Sequence, residues 1–173
     1  YDIAIANWFQ GIKTEEYPLR YGENPQQKAI ALVNNNSFEQ IGGEKKLSYN
    51  NLLDLDAAIN IAYQSSSKEN ICTIIKHNIP CGGAIKRRQK DSYLKALAGD
   101  PLSAYGGIVA FNQKLTLETA KLLIKNFYEV IAAPGFEKDV IKLLQTKKNL
   151  RILKVRKFKN STEQRSIFAG ALI

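Results

Sequence analysis

The sequence predicts an α/β domain with a largely parallel central sheet, because short apolar runs alternate with helix-period segments along its 173 residues. Two runs, residues 71–75 and 108–111, are continuously apolar, as in strands that are covered on both faces. Further candidate strands are residues 28–33, 130–133 and 151–155. In a parallel sheet of this kind ligands bind beyond the carboxyl ends of the strands, so a site is expected there.

Four segments between these strands have the apolar spacing of helices. The first is capped by Asn50 or Asn51 and runs to about residue 64. The others are part of residues 82–98, residues 116–127 with Thr116 as the N-cap, and residues 136–146. Strands and helices in this order predict an α/β sandwich.

Composition excludes several classes of protein. The chain is 45% hydrophobic and 24% charged, as in a globular domain with a core rather than a disordered chain. No apolar run approaches the ~20 residues of a membrane helix, and no secretory signal is visible. Two cysteines make no disulfide framework, which favours a reducing, cytoplasmic location.

The chain begins at Tyr1 and contains no methionine, so we interpret it as an internal piece of a longer protein.

The net charge of +9 is compatible with a nucleic-acid partner. Basic residues cluster between Lys86 and Lys90 and again between Lys147 and Lys159. The alternative is a surface of solvated lysines, which we favour because no basic strand carries interleaved aromatic residues. A basic nucleotide-binding or nucleic-acid-binding module without catalysis is kept as the second hypothesis.

The only histidine, His77, follows Lys76 at the end of the apolar run 71–75. Pro80 and two glycines come next and predict an abrupt turn into a helix N-terminus. Histidine suits general-base catalysis near neutral pH, and an adjacent lysine can stabilise charge that develops on an oxygen. We predict that Lys76 and His77 form a catalytic pair, with a structural histidine as the alternative.

Zinc and a catalytic thiol are the other chemistries that this turn suggests. A zinc deaminase needs a second cysteine three residues after Cys81, where Ala84 stands, and His77 is the only histidine. We therefore predict no metal. Cys81 would be a nucleophile if a helix N-terminus lowered its thiol pKa, and the alternative is a small residue packed in a turn.

Two loops carry further candidate binding residues. Arg20 and Tyr21 lie in a loop rich in glycine, proline and asparagine; the guanidinium suits a carboxamide or phosphate oxygen, and the tyrosine offers a ring and a hydroxyl. Gly106 and Gly107 precede the run 108–111 and permit close approach of a ligand to the backbone. A surface ion pair and a plain turn are the respective alternatives. The second loop matches neither a Walker loop nor a GxGxxG turn.

Several segments in order resemble the transformylase region of the bifunctional purine biosynthesis family, which joins AICAR formyltransferase to IMP cyclohydrolase. They are residues 19–25 (LRYGENP), 47–51 (LSYNN), 76–82 (KHNIPCG), 100–110 (DPLSAYGGIVA) and 129–134 (EVIAAP). The resemblance extends over essentially the whole chain. Agreement of several motifs in order is much more specific than any one of them.

The resemblance implies transfer of a formyl group from the cosubstrate 10-formyltetrahydrofolate to the 5-amino group of AICAR. It implies that His77 is the general base and that Lys76 stabilises charge on the formyl oxygen. Chemistry agrees, because formyl transfer passes through an oxyanion and the weak amine nucleophile needs a base. The AICAR-binding positions of the family are matched by Arg20, Tyr21, Gly106 and Glu129, the last of them at the ribose.

The resemblance also implies what surrounds residues 1–173. The family's transformylase region consists of two zinc-free, cytidine-deaminase-like α/β units, of which this chain matches the first. A second unit after Ile173, a cyclohydrolase domain before Tyr1 and a homodimer with shared active sites are expected, so we expect the 173 residues alone to be poorly active or inactive. Gln26, where the family usually has histidine, and Ile79, where it often has asparagine, depart from the pattern and leave those two roles open.

Overall fold

The structure is a computed structural model that describes residues 14–34, 37–64, 68–156, 165–167 and 170–172. Its strands are β1 (Thr14–Pro18), β2 (Ile30–Asn34), β3 (Phe38–Gly42), β4 (Asn70–Lys76), β5 (Ile79–Lys86), β6 (Ile108–Phe111), β7 (Val130–Ala133), β8 (Arg151–Val155), β9 (Arg165–Ile167) and β10 (Gly170–Leu172). The helices in these ranges are α1 (Tyr49–Gln64), α2 (Gln89–Leu97), α3 (Leu117–Leu123) and α4 (Val140–Leu144).

The central sheet is six-stranded, with the order β3-β8-β7-β6-β4-β5. Strands β6, β7 and β8 are parallel to one another. The pairs β3–β8, β4–β6 and β4–β5 are antiparallel. The α/β class is confirmed, but the sheet is mixed and the prediction of a largely parallel sheet is wrong. Burial on both faces makes β4 a continuous apolar run whatever its direction, so the sequence pattern does not reveal direction.

Helices cover both faces of this sheet. On one face α1 packs Leu55 and Ile59 against buried side chains of β4, β6, β7 and β8. On the other face α2, α3 and α4 contribute Tyr93, Leu123 and Leu144 to a second core. The arrangement is an α/β/α sandwich with its two cores on opposite sides of the sheet.

The predicted strands 71–75, 108–111, 130–133 and 151–155 are confirmed as β4, β6, β7 and β8. The fifth prediction, residues 28–33, overlaps β2, which pairs with β1 in a separate two-stranded ribbon. Strands β9 and β10 form another such ribbon. No helix in the ranges that the structure describes is long and apolar enough to cross a membrane.

A hairpin occupies the place where a helix N-terminus was predicted after Pro80. His77 and Asn78 form a two-residue turn between β4 and β5, with φ of 53° and 61°, and β5 pairs with β4 up to Lys86. Positive φ at both residues is the geometry of a type I′ hairpin turn. The prediction of helix within residues 82–98 holds for α2 alone. Proline and glycine suggested a turn, but an edge strand such as β5 also tolerates both.

The helix starts show how side chains set the boundaries. Helix α1 begins with a capping box, in which the Asn51 N–H donates to Ser48 Oγ at 3.2 Å and the Ser48 N–H donates to Asn51 Oδ1 at 3.1 Å. The cap is therefore Ser48, not Asn50 or Asn51 as predicted. Thr116 caps α3 as predicted, accepting from the N–H of Thr119. Helices α3 and α4 have seven and five residues, shorter than expected.

Gly82 lies where β5 crosses the end of α2 at backbone contact. A Cβ on Gly82 would lie 2.0 Å from the carbonyl oxygen of Ala96, whereas a Cβ on Gly83 would meet nothing nearer than Thr73 Cγ2 at 3.7 Å. We expect Gly82→Ala to lower the free energy of unfolding by about 3 kcal/mol, because the backbone must shift. Urea unfolding of the purified protein measures it. Gly83→Ala is the matched control, expected to change stability by less than about 1 kcal/mol; equal effects would contradict the close approach.

Candidate functional site

One edge of the central sheet gathers the candidate residues. Strand β4 ends at this edge while β6, β7 and β8 begin there, since Ile75 pairs with Ile108, Ile108 with Val130, and Val130 with Arg151. We call it the site edge, defined by Lys76, His77, Gly106, Gly107, Glu129 and Arg151. The amino ends of the parallel strands β6, β7 and β8 lie at this edge. In parallel sheets ligands usually bind at the carboxyl ends of the strands, so the candidate residues lie at the opposite edge from the one expected. Lys76 ends β4 and Glu129 directly precedes β7, two strand positions away, a spacing of about 10 Å.

The loop with Arg20 and Tyr21 is attached to the same edge through the start of α1. The Arg20 N–H donates to the Leu47 carbonyl at 2.8 Å, and the Tyr49 N–H donates to the Tyr21 carbonyl at 3.2 Å. The exposed guanidinium of Arg20 lies with its Cζ 5.4 Å from the centroid of the Tyr21 ring. The loop lies beside the buried end of β8, because Arg151 donates to the carbonyl of Lys46, the neighbour of Leu47. Burial lowers the pKa of Arg151, and the positive charge of Arg20 adds to that effect.

Lys76 reaches from the end of β4 to the loop before β6. Its ammonium donates to the backbone carbonyl of Tyr105 at 2.7 Å. The three protons of an ammonium allow it to keep this bond and to donate to a second oxygen. Lys76 can therefore supply a positive donor at the site edge without losing its anchor.

His77 is exposed at the tip of the β4–β5 hairpin, so it is not a core histidine. The backbone below it is held from α1: the N–H groups of His77 and Asn78 donate to the two carboxylate oxygens of Asp54 at 3.1 and 2.6 Å. Asp54 is only 9% exposed. Sequence reasoning missed this contact, because the turn lies 23 and 24 residues further along the chain.

Glu129 is held by a polar network that sequence reasoning also missed. Its carboxylate accepts from Asn51 Nδ2 at 2.8 Å and from Arg151 Nη1 at 3.4 Å. The Arg151 side chain is 4% exposed and donates through Nε to the Lys46 carbonyl at 3.2 Å. Burial lowers the pKa of Arg151, and the charge of Glu129 opposes that effect. Glu129 keeps 41% of its side chain exposed, so its carboxylate can still accept from a ligand.

Replacing Arg151 by methionine tests this network. We expect the free energy of unfolding to fall by about 1–3 kcal/mol, because the Glu129 carboxylate and the Lys46 carbonyl lose a donor while the aliphatic volume stays. Chemical denaturation measures the change. Lys154→Met, on an exposed position of the same strand, is the control and is expected to stay within about 0.5 kcal/mol. Equal stabilities of the two variants would show that Arg151 contributes nothing through its charge.

The backbone conformation and packing before β6 require glycine at positions 106 and 107. Gly106 has φ of 78°, in the left-handed region, and its N–H donates to the Phe127 carbonyl at 2.8 Å. A Cβ on Gly107 would lie 2.8 Å from the carbonyl oxygen of Ile75. The N–H of Gly106 is thus engaged within the protein, and a backbone contact with a ligand needs a different atom of this turn.

Cys81 does not lie at a helix N-terminus. It is the extra residue of a bulge in β5, since Ile75 pairs with Pro80 and Ile74 with Gly82. Burial raises the pKa of its thiol, and the charge of Asp100 adds to the effect. A raised pKa disfavours the thiolate, so the surroundings of Cys81 give no support to the alternative of a cysteine nucleophile. Within the described ranges, no three His, Cys, Asp or Glu side chains form a group that could hold a metal ion.

The first basic cluster, between Lys86 and Lys90, is partly neutralised. Arg88 and Lys90 both form ion pairs with Glu118 of α3, the former at 3.3 Å. Two of its charges are therefore shared with an acid rather than presented to a polyanion. The second cluster extends past residue 156 and lies partly outside the described residues.

Comparison with known proteins identifies the family. The model of the family described as the AICARFT/IMPCHase bienzyme matches residues 1–173. The chain is 44% identical over its whole length to the bifunctional purine biosynthesis protein PurH of Prochlorococcus marinus strain MIT 9515. It is 45% identical over 89% of its length to the protein of that name from Clostridium perfringens strain SM101. It spans 38% and 34% of these two relatives. The chain therefore belongs to the AICARFT/IMPCHase bienzyme family.

Proposed function

We propose that this chain is part of a formyltransferase that carries the formyl group of 10-formyltetrahydrofolate to the 5-amino group of AICAR in purine biosynthesis. The family description and the relatives' name as bifunctional purine biosynthesis proteins support the reaction class. The observation that carries the proposal is the arrangement of the site edge. Residues from three separate motifs, at Lys76–His77, Gly106 and Glu129, meet there, with the Arg20 loop attached.

The reaction needs a base and a positive donor. The amine nitrogen of AICAR attacks the formyl carbon, and the carbonyl oxygen becomes an oxyanion in a tetrahedral intermediate. His77 takes the proton that the amine loses, because its imidazole is exposed at the hairpin tip and histidine is the side chain best suited to general-base catalysis. Lys76 donates to the oxyanion from its anchor on the Tyr105 carbonyl. Collapse of the intermediate breaks the carbon–nitrogen bond to the folate, whose nitrogen takes up a proton as it leaves.

The other residues of the site bind the nucleotide in this proposal. The Glu129 carboxylate, fixed by Asn51 and Arg151, accepts hydrogen bonds from the ribose hydroxyls. Arg20 and Tyr21 offer a guanidinium fork and an aromatic ring at the mouth of the same edge. Gly106 shapes the turn that brings the backbone close to the nucleotide.

The architecture and assembly of the whole enzyme follow the family in this proposal. The α/β/α sandwich is a zinc-free, cytidine-deaminase-like unit that pairs with a second unit, and a cyclohydrolase domain belongs to the same full-length chain. The enzyme works as a cytoplasmic homodimer with shared active sites, and it uses the folate as a cosubstrate rather than as a bound cofactor. The shared ion pairs of Arg88 and Lys90 with Glu118 give no support to the nucleic-acid alternative.

The test is a formyl-transfer assay with the complete enzyme, comprising this segment and the remainder of its relatives' length. Purified enzyme is incubated with AICAR and 10-formyltetrahydrofolate, and mass spectrometry detects formyl-AICAR together with the IMP that the cyclohydrolase domain would form from it. We expect the summed product to depend on enzyme and on both substrates. Absence of product from folded enzyme would contradict the proposal. Salt-sensitive binding to a labelled generic oligonucleotide, without turnover, would instead favour the binding-module hypothesis.

A further inference from the structure

We propose that Asp54 is a positioning residue, which fixes the backbone of the His77 turn and thereby the direction of the imidazole. The inference rests on the formyl transfer proposed above. Asp54 lies on α1, in the layer that covers one face of the sheet, and its two hydrogen bonds to the hairpin turn come from backbone N–H groups. It therefore acts through His77 rather than on the substrate.

The contact is bidentate and protected from solvent. One carboxylate oxygen accepts from the His77 N–H at 3.1 Å and the other from the Asn78 N–H at 2.6 Å. Asp54 is 9% exposed, whereas both turn residues are exposed. Hydrogen bonds to an ionised carboxylate are about twice as strong as those between neutral groups. A single side chain thus holds two successive N–H groups of an otherwise solvated turn.

The turn gains from such support because both of its residues have positive φ and neither is glycine. A two-residue type I′ turn favours Asn-Gly, since both residues take positive φ. Here the residues are His77 and Asn78, at 53° and 61°. Histidine in the left-handed region carries a steric penalty that glycine does not. Rotation of the peptide planes would relieve the strain, and it would break the bonds to Asp54 and turn the Cα–Cβ bond of His77 away from its present direction.

The direction of the His77 imidazole is important because the turn directly follows Lys76. Lys76, one residue before the turn, is anchored on the Tyr105 carbonyl at 2.7 Å. His77 must present its imidazole to the amine while Lys76 faces the formyl oxygen of the same intermediate. Successive strand residues point to opposite faces, so the left-handed turn provides a route by which both can reach one ligand. Asp54 is the group that holds the turn in that conformation.

The experiment compares variants of the complete enzyme in the formyl-transfer assay. Asp54→Asn keeps the shape but directs an amide NH₂ at one of the two N–H donors. We expect kcat to fall about tenfold or more with KM for AICAR within threefold, the pattern of a loss confined to the transition state. Asp56→Asn, on an exposed position of α1, is the control and is expected to keep kcat within twofold. An Asp54→Asn enzyme with the wild-type kcat would overturn the inference while leaving the proposed function intact.

A second variant separates positioning from folding. Asn78→Gly supplies the residue that a type I′ turn favours, so the double variant Asp54→Ala/Asn78→Gly is expected to recover at least threefold in kcat over Asp54→Ala. No recovery would show that the carboxylate acts in another way and would overturn the inference.

Amide exchange of the wild-type enzyme tests the contact without any variant or turnover. The His77 and Asn78 amides are expected to exchange at least tenfold more slowly than in an unstructured peptide, and exchange at the peptide rate would contradict the contact.

Discussion

Replacing His77 by asparagine in the complete enzyme is expected to lower kcat for formyl transfer by about 100- to 10,000-fold, the usual contribution of a general base. Binding of AICAR is expected to stay nearly unchanged, because in the proposed mechanism the imidazole acts on the amine proton and other residues bind the nucleotide. Asparagine is a sharper choice than alanine, since it tolerates the φ of 53° that the turn imposes at this position. Steady-state kinetics give kcat, and calorimetric titration with AICAR gives the Kd.

The control for this variant is Asn78→Gly, which alters the other residue of the same turn and keeps its geometry. It is expected to retain kcat within about threefold. Turnover by His77→Asn at the wild-type rate would refute the assignment of the base. A large loss of AICAR binding by His77→Asn would instead place the imidazole in nucleotide recognition.

Replacing Lys76 by methionine is expected to lower kcat by about 100- to 1,000-fold, the loss that follows removal of one oxyanion donor. The methionine keeps most of the aliphatic length, so the end of β4 should remain packed. The Tyr105 carbonyl loses its donor at the same time, but it is exposed to water and can be satisfied there. The variant therefore tests the charge rather than the fold, and the KM for AICAR is expected to change much less than kcat.

Lys86→Met is the matched control for Lys76→Met. Lys86 is an exposed lysine of the same hairpin, at the end of β5 that is remote from the turn. It is expected to keep wild-type kinetics. If the two variants lost the same fraction of activity, the effect would come from the overall charge of the hairpin and not from a donor at the site edge.

The buried strands were predictable because their residues carry a strong local signal. Strands β4 and β6 lie between two layers of helices, and such burial leaves a run of apolar residues in the sequence. Strand β5 was not predictable in this way, because it is an edge strand that contains Pro80 and Gly82 and is largely exposed. The direction of β4 leaves no local trace either, and this is why the sheet was expected to be largely parallel.

The residues of the candidate site likewise differ in how far the local sequence identifies them. Lys76 and His77 could be identified from the sequence because they lie at the end of a recognisable strand. The Arg20 loop and Glu129 were identified from motifs that resemble one family. The roles of Asp54 and Arg151 could not be predicted from the sequence, since both residues act through contacts with residues more than twenty positions away. An acid in a helix and a basic residue at the start of a strand are common, and only the fold shows what each one holds.

A crystal structure of the complete enzyme with bound AICAR tests the proposed site most directly. We expect the 5-amino group of AICAR to lie within hydrogen-bond reach of the His77 imidazole and Glu129 to contact the ribose. We also expect the Arg20–Tyr21 loop to lie against the nucleotide at the same site edge. AICAR bound away from this edge, with Lys76 and His77 facing solvent, would contradict the proposed site.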